Sequence, residues 1–179
     1  MSVTSTQVPT GTWNVDPIHS TAEFSVKHLI STFRAGFEDV SGRLVAGEGG
    51  ISIEGTVPVE SIGIRQPDLR GHVLAADFFD VENHPTVEFR STAVRTEGEE
   101  LSVDGELTIR GATRPVIAQG RILGPIDSPA GYQVLAVELE TVLDRNDYGL
   151  TWQMDAPGGR KALGDEVVLS VHLELAQEA

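Results

Sequence analysis

Five histidines, at positions 19, 28, 72, 84 and 172, are the side chains best suited to bind a metal or move a proton near neutral pH. No two stand at the i, i+2 or i, i+4 spacing that puts two imidazoles on one face of a strand or helix, so no metal site is expected. Asp144, Asn146 and Asp147 begin like a calcium loop, but Tyr148 holds the fifth position and the bidentate glutamate at the twelfth is missing. Asp16, His19 and Ser20 have the residue types of a hydrolytic triad. They crowd into five residues, however, and no Gly-x-Ser-x-Gly turn raises a serine above a sheet. The same residues suit a turn, opened by Asp16-Pro17 and held where His19 or Ser20 bonds backbone. Glycine-rich phosphate loops are missing, and with no cysteine there is neither a disulfide nor a thiolate metal site. Catalysis therefore has no positive support, and no cofactor is expected.

Composition narrows the partners. The 179 residues carry 27 acids against 13 bases, a formal charge of −14. That excess opposes general nucleic-acid binding, which needs cations to displace counterions, and disfavours loose adsorption on anionic lipid headgroups. Eleven of the bases are arginine, a reading split between anion recognition and the codon bias of a GC-rich genome. The stretch Met1 to Thr12 is polar and uncharged, without the apolar run of a secretory signal, and no segment approaches 18 consecutive apolar residues. A cytoplasmic location and no stable membrane insertion are the expectation.

The elements that must position any site follow a period of two. Ala22, Phe24 and Val26 alternate with polar neighbours, and the pattern recurs over 51–59, 87–90, 101–110, 116–122, 135–143 and 167–175. With 13–15 and a weaker run over 37–46, this predicts eight or nine strands separated by Gly and Pro clusters. An antiparallel barrel or sandwich follows, as one domain over 12–176 behind a disordered or extended tail, 1–11. Two segments break the alternation. Lys27 to Phe37 places Leu29, Ile30, Phe33 and Phe37 at spacings near three and four, which predicts one or two helical turns. Gln66 to Asp80 predicts a helix with Pro67 in its first turn and Leu69, Val73 and Leu74 on one face, then a second short turn at Phe78-Phe79 capped by Asp77. Such a helix either plugs a barrel end or borders a ligand entrance. The interior has two readings as well. Small inward residues such as Ala22, Gly55, Val57, Gly105, Ala118 and Gly120 leave a void for an apolar guest, or Phe24, Phe89, Leu107, Leu139 and Leu143 fill it.

Trp13-Asn-Val-Asp-Pro-Ile-His19-Ser20, followed by Phe24-Ser-Val-Lys-His28, resembles the opening signature of the YceI-like, polyisoprenoid-binding family. Asp68-Leu-Arg-Gly-His72-Val-Leu-Ala-Ala-Asp77-Phe78-Phe79-Asp80 looks like its most specific motif. Gly105 to Thr113, Asp144 to Gly149 and Leu163 to Val167 are similar to three later blocks, so the resemblance runs from about Trp13 to Leu175. It implies an all-β fold, an antiparallel lipocalin-like eight-stranded barrel with one or two short helices near the cavity mouth. It also implies non-catalytic binding or carriage of a long apolar isoprenoid, a polyprenyl pyrophosphate or an isoprenoid quinone. On that implication the wall comprises Phe24, Val26, Phe33, Phe37, Phe78, Phe79, Phe89, Val137 and Trp152. The polar mouth comprises His19, Arg70, His72, Arg145 and Tyr148, with Arg145 either meeting the ligand's polar end or pairing with Asp144 or Asp147. An enzyme acting on a lipid or stress metabolite in the same cavity, and a solid-cored interaction protein, are the competing readings. Apolar residues near a mouth could also form a dimer face, which leaves a homodimer open.

Overall fold

Strands with one apolar face must bury it, and this chain does so by rolling its sheet into a ring. The computed structural model describes residues 8–179; residues 1–7, most of the expected tail, lie outside the described residues. The strands are β1 (Gly11–Val15), β2 (Thr21–His28), β3 (Ser31–Phe37), β4 (Ser41–Gly47), β5 (Gly50–Pro58), β6 (Thr86–Glu97), β7 (Glu100–Ile109), β8 (Ala112–Asp127), β9 (Gln133–Asp144), β10 (Asp155–Ala156), β11 (Arg160–Lys161) and β12 (Leu163–Gln177). Eight of them, in the order β1-β4-β5-β6-β7-β8-β9-β12, form an antiparallel barrel that closes where β12 pairs with β1.

The closure is shared between two strands. β1 pairs with the C-terminal part of β12, Val15 opposite Leu175, and β2 resumes the pairing at Thr21 opposite His172. Residues 16–20 are the step between them. β3 pairs with β2 alone, so the β2–β3 hairpin lengthens the wall at one end, and Phe37 bridges to Ile62 beyond β5. Lys27 to Phe37 is thus a hairpin and not the expected helical turns. A spacing of four, as in Leu29, Phe33 and Phe37, satisfies a period of two as well as it satisfies a helix. The intervening Ala35, buried between Phe33 and Phe37 on the same face, shows which period holds.

The one α-helix among the described residues, α1 (Pro67–Leu74), lies where the sequence expects it. Pro67 occupies the first turn, and the Gln66 side chain caps the helix by accepting the Leu69 N–H. Val73 is its buried residue, packed with Phe37, Val57 and Ile62 at the hairpin end of the barrel. The expected second turn at Phe78-Phe79 is a set of hydrogen-bonded turns, not a helix: the Phe78 and Asp80 N–H groups both donate to the Ala75 carbonyl. At the opposite end the interior is solid. Trp13, Leu44, Val103, Ile122, Leu135 and Val137 are nearly or wholly buried there, and the Trp13 indole N–H donates to the Pro9 carbonyl at 3.2 Å.

Candidate functional site

Above that solid floor the inward side chains become too short to meet. Ala22, Val57, Val116, Ala118, Val171 and Leu173 line a cavity of about 160 Å³, together with Phe37, Phe89, Leu107 and Leu139. Leu169, Val171 and Leu173 of β12 face inward yet are only half-buried, because they border this unfilled space. Phe89, Leu107 and Leu139, expected to fill a solid interior, border the space instead, and the packed floor below it is built by Trp13, Leu44, Ile122 and Leu135. Gly105 helps to keep it open. A Cβ there would fall 2.4 Å from the Phe89 ring, so the missing side chain lets that ring lie back against β7 instead of across the lumen.

Aromatic rings roof the cavity. Phe24 packs with Phe33, Phe37 and Phe79 at centroid distances of 6.2, 6.1 and 6.4 Å, and Phe37 meets Phe79 edge-on at 6.2 Å. A second layer lies outside it. The His72 ring of α1 meets Phe78 at 5.1 Å and Trp152 at 5.0 Å, both edge-on, while Phe78 and Trp152 are 5.2 Å apart. Of the sequence-expected wall, Phe37 and Phe89 touch the cavity; Phe24, Phe33 and Phe79 form the roof, and Phe78 and Trp152 the outer layer. Val26 is buried on the hairpin, and Val137 lies in the floor.

The polar candidates are dispersed. Arg145 is buried, and its guanidinium faces backbone: Nε donates to the Gly164 carbonyl at 2.7 Å, and Nη1 donates to the carbonyls of Leu150 and, at 2.8 Å, Trp152. Its charged partner is Asp165, 3.6 Å away, and not the expected Asp144 or Asp147. Burial pushes its pKa down, opposed by the charges of Asp165 and Asp144. Arg145 is thus the staple that fixes the 149–164 segment and with it Trp152. Tyr148 is buried beside Leu107, Ile109 and Leu143, and its hydroxyl has no hydrogen-bond partner among the described residues; burial raises its pKa. Arg70 donates to the Glu60 carbonyl.

His19 stands apart, on the outer wall at the step between β1 and β2. Its Nδ1 lies 2.8 Å from an Asp16 carboxylate oxygen, and the other Asp16 oxygen accepts the Ile18 N–H at 2.9 Å. Ser20 accepts the Glu174 N–H at 3.1 Å and is turned to that backbone, so no nucleophile–base pair forms with His19. The three residues make the turn that their order suggests. Asp16, His19 and Glu174 do bring potential ligand atoms within 4.8 Å of one another, on this open outer face. Sequence reasoning missed Arg110, which donates to the carbonyls of Gly149 at 2.9 Å and Ala76 at 2.7 Å, tying the turns after α1 to the segment that carries Trp152. Its place before Gly111, in a tight turn between two alternating runs, was the available signal.

Known proteins share this architecture. Protein YceI of Salmonella newport is 28% identical over 157 residues, 86% of this chain and 80% of its own length. Burkholderia cenocepacia BcnA superposes with a TM-score of 0.73 at 20% identity, covering 89% of this chain and 98% of BcnA. A polyisoprenoid binding domain from Saccharophagus degradans, implicated in plant cell wall breakdown, does so with a TM-score of 0.69 at 12% identity, covering 93% and 98%. At those identities the two structures establish the barrel alone. The YceI-like domain model matches residues 13–175, nearly the whole described chain, and the protein belongs to that family.

Proposed function

We propose that the protein binds an isoprenoid chain in the barrel lumen and carries it without chemical change. The observation that supports this best is the cavity of about 160 Å³, walled mainly by aliphatic side chains, with Phe37 of its lining packed against the rings of Phe24 and Phe79. The polyisoprenoid-binding character of the Saccharophagus degradans domain, in the same fold, points the same way.

Size sets the mode of binding. A dry cavity of about 150 Å³ holds a benzene, so this lumen takes roughly one five-carbon unit as it stands. A longer chain enters only if Phe24, Phe37 and Phe79 swing aside. Each buried methylene contributes about 0.8 kcal/mol, so each isoprene unit contributes about 3–4 kcal/mol before the cost of moving the rings. With Arg145 already occupied by three carbonyls, the polar end meets His72 at the mouth, which favours an uncharged head such as a quinone over a pyrophosphate. The test is to extract the purified protein with organic solvent and analyse the extract by mass spectrometry, then to titrate the stripped protein with geranylgeraniol and a short-tailed isoprenoid quinone. A co-purifying isoprenoid, or saturable binding of either ligand, is expected. An empty extract combined with no binding of either would end the proposal.

A further inference from the structure

The roofed end of the barrel carries a rim that the lumen does not explain. The β2–β3 turn is two residues long, with His28 opposite Ser31, and it consists of Leu29 and Ile30. Leu29 has φ +53°, the left-handed region that such turns normally fill with Asn or Gly. A branched side chain there costs strain, and packing does not offset it, since Leu29 is 54% and Ile30 90% exposed. Met154, 58% exposed, sits beside them: the Leu29 N–H donates to the Ala162 carbonyl at 2.8 Å, and the Ala162 N–H to the Met154 carbonyl at 2.9 Å.

Charge marks the same place. In a chain of net charge −14, the two segments that build this rim, 27–34 and 152–163, carry Lys27, Arg34, Arg160 and Lys161 against Asp155 alone. All four cations are exposed, and none forms an ion pair among the described residues, whereas Arg43, Arg95 and Arg121 elsewhere on the barrel each do. Apolar side chains held out on a strained turn and ringed by unpaired cations fit an interface that is hydrocarbon within and anionic at its surface.

We propose that this rim docks the barrel on an anionic lipid bilayer, with Leu29, Ile30 and Met154 seated at the level of the headgroups and the four cations facing lipid phosphates. The acidic remainder of the chain is repelled by the same surface, so the two charges together hold the roofed end towards the lipid. The expectation drawn from net charge, that anionic lipid is avoided, applies to the body and not to this rim.

Vesicle flotation tests it. The protein is mixed at low and high salt with vesicles of phosphatidylcholine alone or containing phosphatidylglycerol, none holding an isoprenoid, so failure here leaves the lumen proposal standing. The wild type should float with the anionic vesicles at low salt, be released at high salt, and ignore the neutral ones. Only Leu29 of the two turn residues has positive φ, so Leu29→Gly with Ile30→Asn installs residues that this turn prefers, and folding is kept while binding falls about tenfold or more. Lys27→Gln and Lys161→Gln should each weaken binding about fivefold. Wild type that fails to float at low salt, or a turn variant that floats as well as wild type, overturns the proposal. So does a wild-type dimer that the turn variant dissociates without any vesicle binding, which would make the rim a contact between copies of the chain.

Discussion

Val171→Phe places a ring in the middle of the lumen. Val171 lines the cavity from β12, opposite Leu139 on one side and Ala22 on the other. The substitution adds about 50 Å³ of side chain, roughly a third of the cavity. That displaces about two methylenes of a bound chain, worth about 1.6 kcal/mol, so geranylgeraniol should bind roughly 15-fold more weakly by calorimetric titration. The same ring in a solid interior would be overpacked, at a cost of about 1–3 kcal/mol. In an open lumen it buries its own apolar surface, and the urea midpoint should hold or rise. Val168→Phe, facing outward on the same strand, is the control and should change neither quantity. Unchanged affinity together with a lowered midpoint would refute the reasoning, because it would mean that the interior has no room and the ligand binds elsewhere.

Three other outcomes follow from the polar groups. Arg145→Met strips the bonds to the carbonyls of Gly164, Leu150 and Trp152, and should cost about 3–5 kcal/mol in urea unfolding; lysine should not restore it, lacking the planar fork. Tyr148→Phe removes a buried hydroxyl that has no partner and should be neutral or stabilising by up to about 1 kcal/mol, read as a thermal midpoint. The pair Asp16–His19 titrates in opposite directions, each shift caused first by their mutual hydrogen bond: His19 rises above 6.5 and Asp16 falls below 3.8. The pair's stabilisation is therefore full between those two reference values, fades as pH rises through the raised His19 pKa, and is lost as pH falls through the lowered Asp16 pKa. A nuclear magnetic resonance titration of His19 should show its pKa return towards 6.5 in Asp16→Asn.

Alternation made an all-β barrel or sandwich legible, because so many strands with one apolar face must either close into a ring or stack as two sheets, and the resemblance then pointed to the barrel. It also identified the short inward residues, yet could not say at which height they would leave space. That depends on strand register, which sets Ala118 and Val171 at the level of the void and Val137 in the floor. The hairpin at Leu29 was misread because a spacing of four fits both periods and because nothing in Leu-Ile announces a turn. Arg145 was legible as a residue of consequence but not in its role, since only the fold brings the carbonyls of Leu150, Trp152 and Gly164 around one guanidinium. His19 was assigned to the mouth by the resemblance, while pairing of β1 and β2 along β12 leaves it on the outer wall, in the turn its own neighbours suggested.

A crystal structure of the protein with geranylgeraniol bears most directly on the central claim. The account predicts an apolar tail between Leu107 and Val171, with the rings of Phe24, Phe37 and Phe79 turned away from their present contacts. A ligand lying on the outer surface, over a lumen and roof unchanged, would contradict it.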